Sequence, residues 1–251
     1  MNDIYAAPTA DLESDNPSQR LGGNIEDAVD GNIRISVGEI LGQAWRSVKG
    51  FKLVCHIALT IYVVVAILAG IVSIPVVIML TATGADQSVT GVVASVIQTL
   101  ASIATIPMFF GIHIMGIRHL AGKPVSVGSV FQFFYKIPRL FLCYLLVSFM
   151  IFIGFLLLIL PGIYLSVAYM YALPLVVEKD LPAWQAMEIS RKAIGKNWFS
   201  MFGLLLIIML MNMLGLLTLG IAWIWIVPWS ILAMSLVHLR LFGAEAHTLA
   251  A

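Results

Sequence analysis

Long runs of nearly pure hydrocarbon alternate along the chain with short polar connectors. Four runs, about Leu53–Leu80, Val92–Ile117, Trp198–Leu217 and Ile221–Leu239, are long enough for a membrane-crossing helix, which needs roughly 17–25 apolar residues. The uncharged run Leu140–Val177 is too long for one helix. "LPG" at Leu160–Gly162 divides it, because proline and glycine together favour a tight turn. "TATGADQSVTG" after Leu80 and "TLG" at Thr218–Gly220 mark two more turns. The pattern predicts an all-α polytopic membrane protein with six transmembrane helices, paired as three hairpins.

The polar connectors resemble one another. "ISVGEILGQAWRSVKGF" (35–51) aligns with "VSVGSVFQFFYKIPRLF" (125–141) at an offset of 90 residues. Trp45 meets Tyr135, Arg46 meets Lys136, Lys49 meets Arg139, and Phe51 meets Phe141. A third connector starts at Asp180, so the repeats run about 35–122, 125–179 and 180–243. Each connector opens on a capping residue: Ser36 with Glu39 as a capping box, Ser126, and Asp180 with Pro182 in the first turn. Each is amphipathic at helical spacing. This predicts three interfacial helices, with Trp45, Trp184 and Trp198 at headgroup depth. Arg46, Lys49, Lys136, Arg139, Arg191, Lys192 and Lys196 are the candidate contacts to anionic headgroups. Arg191 falls on the apolar side of its helix. It either snorkels to a phosphate or forms a buried ion pair with Glu178 or Glu188.

Charge fixes the expected orientation. Of 251 residues, 61% are hydrophobic and 11% charged, more apolar surface than a soluble domain can hide. All 14 Lys and Arg residues fall on one side of the predicted spans, and Asp86 is the one charge in the opposite loops. The positive-inside rule makes the basic side cytoplasmic, with both termini inside. Residues 1–34 read as a disordered acidic cytoplasmic tail, and 242–251 as a short cytoplasmic one. The N-terminal stretch lacks the basic start and short apolar core of a signal peptide. Cys55 and Cys143 read as buried, reduced thiols.

Catalytic chemistry is hard to find. The centres of the spans hold no Asp, Glu, Lys or Arg. Such intramembrane charges mark most ion-coupled transporters and intramembrane enzymes. His56, His113 and His238 lie near the cytoplasmic boundary, where interfacial packing and a shared metal are the two readings. No HxxxH spacing favours the metal. Gln98 and Asn212 read as interhelical amide contacts. Pro107, Pro174 and Pro228 each sit in the return helix of a hairpin. They serve either helix packing or hinging around a cavity. No catalytic residue, cofactor or metal site is expected, and no nucleic-acid partner.

The stretch 160–202, "LPGIYLSVAYMYALPLVVEKDLPAWQAMEISRKAIGKNWFSMF", resembles a pattern in uncharacterised bacterial polytopic membrane proteins. These include the membrane domain attached to some glycerophosphoryl diester phosphodiesterases. Pro161, Gly162, Tyr164, Pro174, Glu178, Ala186, Ser190, Asn197 and Trp198 carry the resemblance. It implies a bacterial inner-membrane protein and brings no catalytic residue, because the hydrolase of that group is a separate soluble domain. The expected function is non-enzymatic: organising or regulating membrane and envelope components through interfacial helices. The expected partners are anionic membrane lipids and a membrane protein. A transporter or flippase for a lipid or weakly charged solute is the alternative.

Overall fold

The computed structural model describes residues 22–249, and the regular elements within that range are helices joined by short connectors. Six helical segments are long and apolar enough to cross a membrane: Lys52–Ala82, Gln87–Leu120, Val127–Leu157, Ile159–Glu178, Trp198–Leu217 and Trp223–Phe242. The protein is therefore multi-pass and all-α.

The first segment is broken. α3 (Lys52–Ile71) gives way at Val72 to α4 (Ser73–Ala82), which carries Pro75 in its first turn. Proline has no N–H to return to the preceding turn, so the helix restarts there. α5 (Gln87–Leu120) then runs for 34 residues through Pro107 without interruption. α6 (Ile137–Leu157) and α7 (Ile159–Ala168) reverse direction at a single extended residue, Leu158. Pro161 and Gly162 thus sit inside the first turn of α7 and not at the reversal itself. Gly162 serves close packing: a Cβ on Gly154 of α6 would lie 3.0 Å from its Cα. α8 (Ala172–Glu178) continues α7 after an irregular turn over 169–171. α9 (Ala183–Lys196) leads into α10 (Trp198–Leu217). Leu219 and Gly220, both left-handed, make the turn into α11 (Trp223–Phe242), which carries Pro228. α11 is central and packs on α5, α2 (Val37–Ser47), α3 and α10.

The expected disordered N-terminal tail departs from that description where it is described. Residues 25–30, within the stretch expected to be disordered, form α1 (Ile25–Asp30). Asn24 caps it by accepting from the Asp27 N–H at 2.7 Å, and Ala28 is buried against its neighbours. The reason is a partner: α1 packs on α9 and α11, so its short apolar face has somewhere to go. Residues 1–21 of that expected tail lie outside the described residues. At the other end, α12 (Ala246–Leu249) docks on α5, with Ala244 and Thr248 buried.

The three connectors differ more than their sequences do. α2 begins after Ser36, but the capping box does not form, because Glu39 turns to Arg240 at 2.9 Å. The second connector is two 3₁₀ turns, Val127–Phe131 and Phe134–Lys136, and not an α-helix. It is held tightly to α5: a Cβ on Gly111 would lie 2.7 Å from the Ser129 carbonyl oxygen. In the third, Asp180 takes a left-handed conformation (φ 55°) and Pro182 is the residue before α9. Asp180 binds Lys136 and Arg139 across the junction instead of capping the helix.

Candidate functional site

The break between α7 and α8 frees backbone groups that an intact helix would pair with each other. Ser190, fully buried on α9, satisfies two of them. Its hydroxyl donates to the Ala168 carbonyl at 2.8 Å and accepts from the Tyr171 N–H at 3.2 Å. The Tyr171 hydroxyl in turn donates to the Met234 carbonyl of α11 at 2.8 Å. One serine therefore joins the broken segment to α9, and one tyrosine joins it to the centre of the bundle.

Glu178 closes the same segment and is also fully buried. Its Oε1 accepts from the Glu245 N–H at 2.6 Å and from the Thr248 hydroxyl at 3.2 Å. Its Oε2 faces Lys179 Nζ at 3.4 Å and His238 Nε2 at 3.7 Å, the latter an ionic approach too long for a hydrogen bond. Lys179 reaches on to Glu245 at 2.7 Å. Arg118, buried, donates from Nε to the Thr248 carbonyl at 2.6 Å and from a terminal nitrogen to Ser129 at 2.7 Å. Glu178 Oε1, Lys179 and Arg118 thus fasten the C-terminal residues to α5 and α8, while Glu178 Oε2 is buried without a hydrogen-bond partner among the described residues.

Two of the three singled-out histidines converge here. The His113 and His238 rings lie 5.3 Å apart, with Tyr171 5.8 Å from His238. His56 stays apart, its Nδ1 2.7 Å from its own Lys52 carbonyl. Among the described residues, no group of three or more His, Cys, Asp and Glu side chains is placed to hold a metal ion. His113 Nε2 is buried without a hydrogen-bond partner among the described residues.

That ring also lines a cavity of about 370 Å³ beside the helix break, shared with Phe110, Tyr171, Pro174, Asn212 and Ser230. A second cavity, of about 400 Å³, lies between Tyr62, Gln98, Thr105 and Tyr144. Phe109 and Phe110 line both. Of the three prolines, Pro174 alone sits beside a break, while Pro107 and Pro228 lie within continuous helices.

The candidate headgroup residues divide into two sets. Trp45 and Trp184 are exposed, as are Arg46, Lys49, Lys192 and Lys196. Lys136 is not available to a headgroup. It is buried, donating to the Val177 carbonyl at 2.8 Å and meeting Asp180 at 3.1 Å. Arg139 joins the same carboxylate at 2.8 Å. Burial opposes ionisation of Asp180, but Lys136 and Arg139 outweigh it and hold the carboxyl below its usual range. Arg191 forks onto Glu188, one turn away on its own helix, at 2.8 and 3.0 Å. Both side chains are half-exposed, so this pair braces α9 and does not lock it to the bundle. The hydrogen bond from Arg191, with Lys192 behind it, keeps the Glu188 carboxyl below its usual range.

Asn197 and Trp198 are stitching residues too. The Asn197 amide donates to the Ile33 carbonyl at 2.9 Å and accepts from the Ile35 N–H at 3.0 Å. Trp198 stacks on Tyr164 and donates to its carbonyl at 3.3 Å. Arg118, Lys179, Glu245 and Thr248 escaped sequence reasoning because their partners lie far along the chain. The one local signal was an acid, Glu178, ending an apolar run with no cap to serve. No family model, curated protein or solved structure matches the chain.

Proposed function

We propose that this is a non-enzymatic integral protein of a bacterial inner membrane, with both termini cytoplasmic. It organises or regulates membrane and envelope components from a cationic platform on the cytoplasmic face. The observation that carries this reading is the outer face of α2 and α9. Trp45 and Trp184 are 55% and 64% exposed, alongside the exposed Arg46, Lys49, Lys192 and Lys196. Exposed indole beside exposed cations suits a headgroup layer, where one side is wet and anionic and the other apolar. The buried polar residues Glu178, Ser190 and Asn197 hold the platform together. The resemblance of residues 160–202 to a membrane domain without hydrolase residues points the same way. The repeated plan of amphipathic helix followed by apolar hairpin is part of this proposal; α2 and α9 suit it, and the 3₁₀ connector departs from it. Its partners are anionic lipids and a membrane protein, with no role for nucleic acid.

The test is a charge reversal, Lys192→Glu with Lys196→Glu, in vesicles with and without phosphatidylglycerol. Phosphatidylglycerol should raise the melting temperature of the native protein and not that of the variant. Equal stabilisation of both removes the platform.

One observation favours the transporter or flippase reading as a second possibility. A broken helix beside cavities is how many repeat-built transporters bind a solute, and here His113 Nε2 is buried at the cavity wall without a hydrogen-bond partner among the described residues. Filling that cavity with Ser230→Phe should then abolish movement of a fluorescent lipid across proteoliposomes. No such movement in the native protein ends that reading.

A further inference from the structure

α9 does not stand clear of the hairpin before it. It runs antiparallel beside α7–α8 along most of its length. Near the middle, Ser190 bonds Ala168 and Tyr171. One turn further, a Cβ on Gly195 would lie 3.2 Å from the Tyr164 hydroxyl. Then Trp198 stacks on Tyr164, with ring centroids 6.0 Å apart. At the far end, a cleft of about 930 Å³ is lined jointly by Leu160, Lys196, Phe199, Asp30 and Arg34. As α9 advances from 183 to 198, its neighbour retreats from 178 to 160.

This register constrains the bilayer. α9 carries Glu188, Arg191, Lys192 and Lys196 on its solvent-facing side, each at least partly exposed. Four charges on an open helix face are too costly for the hydrocarbon core. α9 therefore lies at the membrane surface, and α7–α8 lies at the level of α9. If α7–α8 crossed the bilayer instead, Leu160 would sit about 27 Å from Glu178 on the opposite side. It would carry the end of α9 with it. Asn197 forbids that. It is bonded to Ile33 and Ile35. The same N-terminal segment is pinned by the Gly23 N–H to the Leu239 carbonyl at 2.9 Å, at the charged end of α11. The other end of the hairpin is marked by Lys136, Arg139 and Asp180. Both ends of the α6–α8 hairpin thus border charged residues of one membrane face.

We propose that the α6–α8 hairpin is a lipid-embedded wedge: it lies within the leaflet on the basic side and does not cross. Its partner is the acyl layer of that leaflet. The side away from the protein suits this partner. Phe152, Leu156, Leu157, Leu158, Ile159 and Leu160 are 64–78% exposed. The membrane is then crossed four times, by Lys52–Ala82, Gln87–Leu120, Trp198–Leu217 and Trp223–Phe242. Removing two crossings preserves the even count, so all 14 bases still fall on one side. A wedge in one leaflet displaces lipid asymmetrically, which suits sensing or shaping of that leaflet. The placement itself does not rest on the proposed function, only on the chain being embedded in a bilayer.

The experiment is side-specific labelling of the full-length protein in sealed vesicles with a membrane-impermeant maleimide. Cys55 and Cys143 are buried and stay silent. Lys196→Cys marks the basic side and Thr83→Cys the opposite one. A Gly-Ser insert carrying one cysteine, placed between Leu158 and Ile159, lifts the reporter out of the lipid on whichever side the hairpin tip faces. Labelling from the Lys196 side supports the wedge. Labelling from the Thr83 side overturns it and restores six crossings.

Discussion

Ser190→Ala removes one hydroxyl and strands two buried backbone groups, the Ala168 carbonyl and the Tyr171 N–H. Each buried polar group left without a partner costs about 1–3 kcal/mol. Interhelical side-chain hydrogen bonds in bilayers average only about 0.6 kcal/mol, because the displaced groups find other partners. That escape is closed here: the groups belong to a helix break, and the preceding and following turns are already paired. The larger figure therefore governs, tempered by water entering from the neighbouring cavity, and a loss of about 2–4 kcal/mol is expected. For a chain of this size that is a fall in melting temperature of roughly 5–15 °C. The assay is thermal unfolding in nanodiscs, with Ser166→Ala as control, since Ser166 bonds the Gly162 carbonyl of its own helix. Ser190→Ala within about 0.5 kcal/mol of the native protein would falsify the view that this hydroxyl holds the break.

Three further predictions concern the same junctions. Glu178→Gln weakens the hold on the C-terminal residues, so amide exchange at Glu245 should accelerate well beyond that of the α11 core; unchanged protection there would show that Arg118 suffices. Asp180 is held below its usual carboxylate range in the folded protein. Its contribution is therefore complete above the unfolded value near 3.8 and is lost as pH falls through the lower folded value, so acid unfolding should begin earlier in Asp180→Asn, and coincident acid limbs would remove the role of the Lys136–Asp180–Arg139 tie. Gly154→Leu overpacks a close approach of α6 and α7 and should cost about 1–3 kcal/mol, read as reduced folded yield, whereas Gly203→Leu, with open space at its Cβ, should be tolerated.

Apolar length made the six segments legible, because a segment surrounded by lipid, whether it crosses or is embedded in one leaflet, must present apolar side chains along its length. Amphipathic spacing did the same for α2 and α9. The second connector deceived because its spacing is helical, while its backbone forms 3₁₀ turns packed closely on α5 at Gly111. The site was legible only as a list of types. Glu178, Ser190 and Asn197 stood out through a resemblance, but their roles depend on partners 164 residues away in the case of Asn197 and Ile33, and 67 in the case of Glu178 and Glu245. No local pattern encodes such pairings. Arg191 was legible as an ion-pair candidate because Glu188 lies one helical turn away, a spacing that the helix itself fixes.

The most direct test of the cytoplasmic-platform account is native mass spectrometry of the protein extracted with its surrounding lipid. The account predicts a reproducible protein companion, surrounded by lipid of bulk-like composition apart from an anionic excess that Lys192→Glu with Lys196→Glu removes. A single lipid class held in fixed stoichiometry, with no companion protein, would contradict it and assign the cavity beside Tyr171 and His113 to lipid transport.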